Sequence, residues 1–163
     1  MKNQVNAENL NFGLSILHCW IRFFECLFHT AYRLPIKMWQ ARTNSEKKIV
    51  AETKQEIQKK FRKSIGLIVD EPKPGFGNTI DRNTARRFFQ NAEKSAEITK
   101  IDLNLIKKMF PILIVVSSGH QIHIENFKTF AHNTAKLFAK KLPVVLYATD
   151  FTQIFYTRTW NYF

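Results

Sequence analysis

Cys19, Cys26 and His29 stand at intervals of seven and three residues. Thiolate and imidazole are ligand types that zinc takes, so the trio raises the question of a metal site. Seven residues of helix bring the two thiols to one face, about 10 Å apart along the axis. That is too far for a disulfide, and no second cluster supplies a fourth ligand at normal zinc spacing. We read the three as small polar groups lining a core and assign no metal ligand. His120 and His123 form His-x-x-His and read as a solvated pair at a helix start. PGFGN, Pro74 to Asn78, shares its glycines with phosphate-cradling loops but lacks the Gly-Lys-Ser/Thr ending of a P-loop. No Ser-His-Asp or Cys-His arrangement stands out, and carboxylates are scarce. Local motifs therefore do not point to an enzyme.

The basic residues are more informative. Twenty-five Lys and Arg face 13 Asp and Glu, a net charge of +12 over 163 residues. That favours a polyanionic partner, nucleic acid before an anionic membrane surface. Arg33, Lys37 and Arg42 interleave with Tyr32 and Trp39. Arg86 and Arg87 fall in the first turns of a short helix that follows a glycine-rich loop. Guanidinium groups at such a place suit phosphate contacts; the bland reading is a solvated basic face.

Helices must position these side chains. Residues 1–14 are a polar lead-in without the features of a signal peptide. From Ser15 as N-cap, LHCWIRFFECLFHTAYRL is apolar almost all round, which predicts a buried helix. Pro35 interrupts it, and IKMWQAR is expected to resume it after a kink. A second helix spans Glu46 to Ile65, capped by Asn44 or Ser45, with Ile49, Val50, Ile57, Phe61 and Ile65 at helical spacing and Gly66 as its stop. A loop covers residues 69–80, and Asp81 caps the short helix NTARRFFQN. Further helices are expected from Asp102 to Ser117, bent or broken at Pro111, and over ENFKTFAHNTAKLFAKKL. The fold class for residues 15–142 is all-α. The longest apolar run, Phe110 to Val116, is too short to span a bilayer. The cysteine spacing fits a reducing compartment better than secretion.

Two stretches resemble Transib-type DNA transposases, relatives of the catalytic subunit of the V(D)J recombinase. They are HCWIRFFECLFHTAYRLPIKMWQAR and GLIVDEPKPGFGNTIDRNTARRFFQNAEKSAEITKIDLNLIKKMF. The resemblance covers residues 12 to about 142. It runs through Leu17-His18-Cys19, the lysine-rich helix around Glu56 to Lys63, and Arg82-Asn83-Thr84-Ala85-Arg86-Arg87. Two departures stand in it: Arg82 occupies the place of a family glycine, and Pro111 falls within a helix that the family runs through.

The resemblance implies a helical insertion domain that contacts duplex DNA. On that basis Asn83, Arg86, Arg87, Arg33, Lys37 and Arg42 are the expected DNA-binding residues. The family cuts DNA with three carboxylates that hold divalent metal. As the resemblance aligns, those acids and the family's zinc ligands fall outside this stretch. The expectation is a catalytically dead remnant with no cofactor, nuclear if expressed, that binds duplex DNA weakly and with little sequence preference. It has no membrane partner, and self-association is open. The alternatives are a domesticated nuclear helical interaction module and a non-functional transposon relic.

The last segment, residues 143–163, breaks the pattern after Pro143 with VVLYATDFTQIFYTRTWNYF, Val144 to Phe163. Read one base later, its codons can spell Trp-Tyr-Tyr-Met-Pro followed by His-Lys and His-Gly, the order the family shows. We therefore expect an irregular, frame-shifted tail in which codons for Thr152 and Thr157 end in A.

Overall fold

A computed structural model of the chain describes residues 16–38, 40–73, 75, 77–118 and 122–142. The polar lead-in to residue 14, the Ser15 cap, Trp39, His120 and the 143–163 tail lie outside the described residues. The order of elements is α1 (Ile16–Arg33), α2 (Asn44–Ile65), β1 (Pro72–Lys73), β2 (Gly77–Asn78), α3 (Arg82–Gln90), α4 (Ala92–Thr99), α5 (Leu103–Ser118) and α6 (Ile124–Lys141). The described residues are all-helical apart from the two short strands. These pair antiparallel, Pro72 with Asn78 and Lys73 with Gly77, and close the loop into a small hairpin.

α1 is the central helix and touches α2, α3, α4 and α5. Its buried residues are Cys19, Trp20, Phe23, Phe24, Leu27, Phe28, Ala31 and Tyr32, adjacent pairs one helical turn apart. The result is one broad apolar stripe, not the all-round burial that composition suggested. Arg22 and His29 occupy the exposed side. Thr30, fully buried, donates its hydroxyl to the Cys26 carbonyl at 2.8 Å and so carries no unpaired polar group into the core.

The core is built around Phe88. Its ring lies 5.2 Å from Phe24, 5.4 Å from Phe28, 5.9 Å from Phe61 and 5.1 Å from Phe89, centroid to centroid. Edge-on and tilted arrangements of this kind set the positive ring edge against a negative face. Three helices, α1, α2 and α3, are thereby locked at one point. Trp20 extends the cluster to α5: it packs edge-on against Phe89 and Phe110, and its indole N–H donates to Ser117 Oγ at 2.6 Å.

Several sequence expectations need correction. The helix does not resume after Pro35. Residues 34–37 form a turn, and Lys37 adopts a left-handed φ of 52°, which turns the chain away from a helical course. The cap of α2 is Thr43 and not Asn44 or Ser45. Thr43 Oγ1 accepts from Glu46 N while the Glu46 carboxylate accepts from Thr43 N, a reciprocal capping box. α5 passes through Pro111 without a break. α4 was not expected at all. It follows α3 directly, and Ser95 Oγ donates to the Phe88 carbonyl at 2.7 Å, using a group left open at the end of α3. Two expectations hold. Gly66 ends α2 in a left-handed conformation, and Asp81 caps α3 by accepting from Thr84 N at 2.8 Å.

Candidate nucleic-acid interface

α3 has two faces of opposite character. Ala85, Phe88 and Phe89 are buried against α1, α2 and α5, and that burial fixes the rotation of the helix. The other side therefore points to solvent and carries Asn83, Arg86, Arg87 and Gln90, all exposed. Asn83 stands three and four residues before the two arginines, so the three share one helical surface. The local sequence dictates this through the spacing of its apolar residues, with Asp81 setting the first turn.

The end of α2 lies beside this stripe. Arg87 Nη2 donates to the Ile65 carbonyl oxygen at 2.7 Å, one of the carbonyls left open where α2 stops. Arg62 and Lys63 stand in that last turn of α2, both exposed. Arg62 pairs with Glu71 at 2.7 Å. The structure thus brings Arg87, on the Asn83–Arg86–Arg87 face, to the last turn of α2, where Arg62 and Lys63 stand. The last two were not singled out from sequence, where they read as part of a generic charged helix.

Arg33, Lys37 and Arg42 do not share a helix with that group. Arg33 is the last residue of α1, and its Nη1 donates to the His29 carbonyl at 2.9 Å. Partial burial holds its guanidinium below the usual arginine range. Lys37 is exposed at the left-handed turn, and Arg42 is exposed just before α2, its backbone N–H given to Glu46. These three line the α1–α2 connection.

A polar knot lies where that end of α1 meets α2. The Asp70 carboxylate, nearly buried, pairs with Lys54 Nζ at 2.6 Å. The Tyr32 phenol sits against the same carboxylate, and burial first, then the Asp70 charge, pushes it well above the usual tyrosine range. Lys54 Nζ also lies 5.8 Å from the Tyr32 ring centroid. The exposed edge of His29 borders this knot. Partial desolvation, then the Arg33 charge, lowers its pKa.

The suspected metal trio does not converge. Cys19 is buried and Cys26 half-buried, as core-lining groups should be, but His29 is exposed and does not line the core, since three residues turn it about 60° off the line the two thiols share. Burial pushes the Cys19 thiol up to about 11. Among the described residues no group of three or more His, Cys, Asp or Glu is placed to hold a metal ion. His123 is the N-cap of α6, its Nδ1 accepting from Asn126 N at 3.3 Å. Within PGFGN, Gly75 has φ 76° and Gly77 and Asn78 form β2, while Pro74 and Phe76 lie outside the described residues. Among the described residues no helix is long and apolar enough to cross a membrane. No family model and no curated protein matches the chain.

Proposed function

We propose that this chain is a DNA-contacting helical remnant of a Transib-like transposase, acting in the nucleus and binding duplex DNA without cutting it. The carrying observation is the α2–α3 junction. Asn83, Arg86 and Arg87 lie on one exposed helical face, and Arg87 ties that face to Ile65 in the last turn of α2, which also carries Arg62 and Lys63. A protein of net charge +12 presents there a cluster of donors suited to phosphate oxygens. Base-edge readout is not built into so open a surface, so binding is weak, salt-sensitive and nearly sequence-independent. The Transib-like stretch supports the same reading, since the matching part of that family handles DNA and its metal-binding acids align elsewhere.

The test is fluorescence anisotropy with a labelled duplex across a salt series. Arg86→Ala should weaken binding to unrelated duplexes alike and reduce the slope of log K against log salt by about 0.9 for a single phosphate contact. An unchanged slope means that Arg86 belongs to a solvated face only. Incubation of the chain with duplex and Mg²⁺ or Mn²⁺ should leave the DNA intact; cleavage that copurifies with the protein overturns the non-catalytic part.

A further inference from the structure

Three residues of α2, Lys54, Gln58 and Arg62, follow one another at intervals of four and so share one stripe of the helix. Each holds a different part of the segment after Gly66. Lys54 takes the Asp70 carboxylate at 2.6 Å. Gln58 Nε2 donates to the Val69 and Asp70 carbonyls at 3.1 and 2.8 Å. Arg62 takes the Glu71 carboxylate at 2.7 Å. Residues 69–71 are thus held against α2, Asp70 by Lys54 and Gln58 and Glu71 by Arg62.

Asp70 itself has φ 50°, a left-handed conformation that most residues with a side chain avoid and that Asp and Asn adopt at smaller cost. Such a residue persists where its surroundings over-determine it. Here the carboxylate, the carbonyl and the neighbouring Tyr32 phenol all hold it.

The hold is passed on to α3. Glu71 N donates to Thr79 Oγ1 and Thr79 N donates to the Glu71 carbonyl, both at 2.9 Å, so the hairpin is closed at its base. Asp81, the cap of α3, follows Thr79 by two residues. At the other end of α3, Arg87 is tied to Ile65. Both ends of α3 are therefore referred to α2.

We propose that Lys54, Gln58, Arg62 and Asp70 form a clasp that positions α3, with Asp70 as its central positioning residue. Its consequence for DNA, a fixed pose for the Asn83–Arg86–Arg87 stripe, rests on the DNA-binding reading above. The clasp itself does not.

The experiment is amide hydrogen exchange on the full chain, comparing wild type with Asp70→Asn, Gln58→Ala and the Lys54→Met/Asp70→Asn double variant. Asparagine tolerates the left-handed backbone, so Asp70→Asn removes charge and leaves φ permitted. Exchange should rise about tenfold at 67–71 and through α3, with α5 and α6 unchanged. In the double variant the increase should be no larger than in Asp70→Asn, because the pair acts as one unit. Gln58→Ala, the mildest change, should show the same pattern at smaller amplitude and serves if Asp70→Asn fails to fold. Faster exchange confined to 67–71, or spread evenly over all helices, overturns the proposal. Duplex binding read in parallel separates the two ideas. Asp70→Asn should lower affinity with an unchanged salt slope, since no phosphate contact is lost. A wild-type chain that ignores DNA while α3 loosens as expected discards the DNA reading and keeps the clasp.

Discussion

The Arg87 guanidinium donates to the Ile65 carbonyl oxygen at 2.7 Å, tying the exposed face of α3 to the end of α2. One of the two adjacent arginines therefore has a structural task that Arg86 lacks. Arg87→Ala is expected to cost about 1 kcal/mol of stability, the scale of one hydrogen bond to a helix-end carbonyl. Arg86→Ala should leave stability within about 0.5 kcal/mol of wild type. Urea denaturation of both variants checks this, and equal losses would contradict the division of labour.

Trp20 and Ser117 make a second long-range tie. The indole is buried, and its N–H has the Ser117 hydroxyl as acceptor at 2.6 Å. Ser117→Ala leaves that donor unsatisfied and should destabilise the fold by about 1–3 kcal/mol. Tryptophan fluorescence followed through thermal unfolding gives the comparison.

Pro111 sits within α5, where it lacks the N–H that would bond to the Lys107 carbonyl. Its ring is exposed, so nothing in the core depends on it. Pro111→Ala should raise stability by up to about 3 kcal/mol, the difference in helix preference between the two residues. A lower melting temperature in that variant would show that α5 needs the proline's local geometry.

The capping box of α2 carries a pH signature. Backbone N–H groups of Thr43 and Arg42 hold the Glu46 carboxyl below its usual range. A carboxylate whose pKa is lowered by folding stabilises the fold fully above its unfolded value of 4.5, and that contribution disappears as pH falls through the folded value. Asp102 acts in the same sense, its carboxyl lowered chiefly by the hydrogen bond from Lys141, which joins the start of α5 to the end of α6. Stability should therefore drop below about pH 4.5, and Glu46→Gln should flatten part of that drop while lowering stability at pH 7. Thr43→Ala should cost about 1 kcal/mol at neutral pH. Circular dichroism melts at pH 3.5 and 7 separate these outcomes.

The clearest signals in the sequence were short-range ones. The helical spacing of Ile57 and Phe61, the stop at Gly66, the Asp81 cap and the apolar rhythm of Ala131, Thr134 and Phe138 are each read within a few residues, because caps and helical periods are local physics. They determined the all-α class and placed Asn83, Arg86 and Arg87 together on a helix. What tertiary structure decided depends on partners far along the chain. α4 is short and weakly periodic, and its place follows from packing on α2 and α5. α5 keeps its course through Pro111 because Met109 and Ile112 are buried on either side of the local defect. The Lys54–Gln58–Arg62 stripe looks like any solvated helix face until residues 69–71 are laid across it. Arg87 differs from Arg86 for the same reason: their sequence context is nearly identical, and only the fold brings the Ile65 carbonyl to one of them.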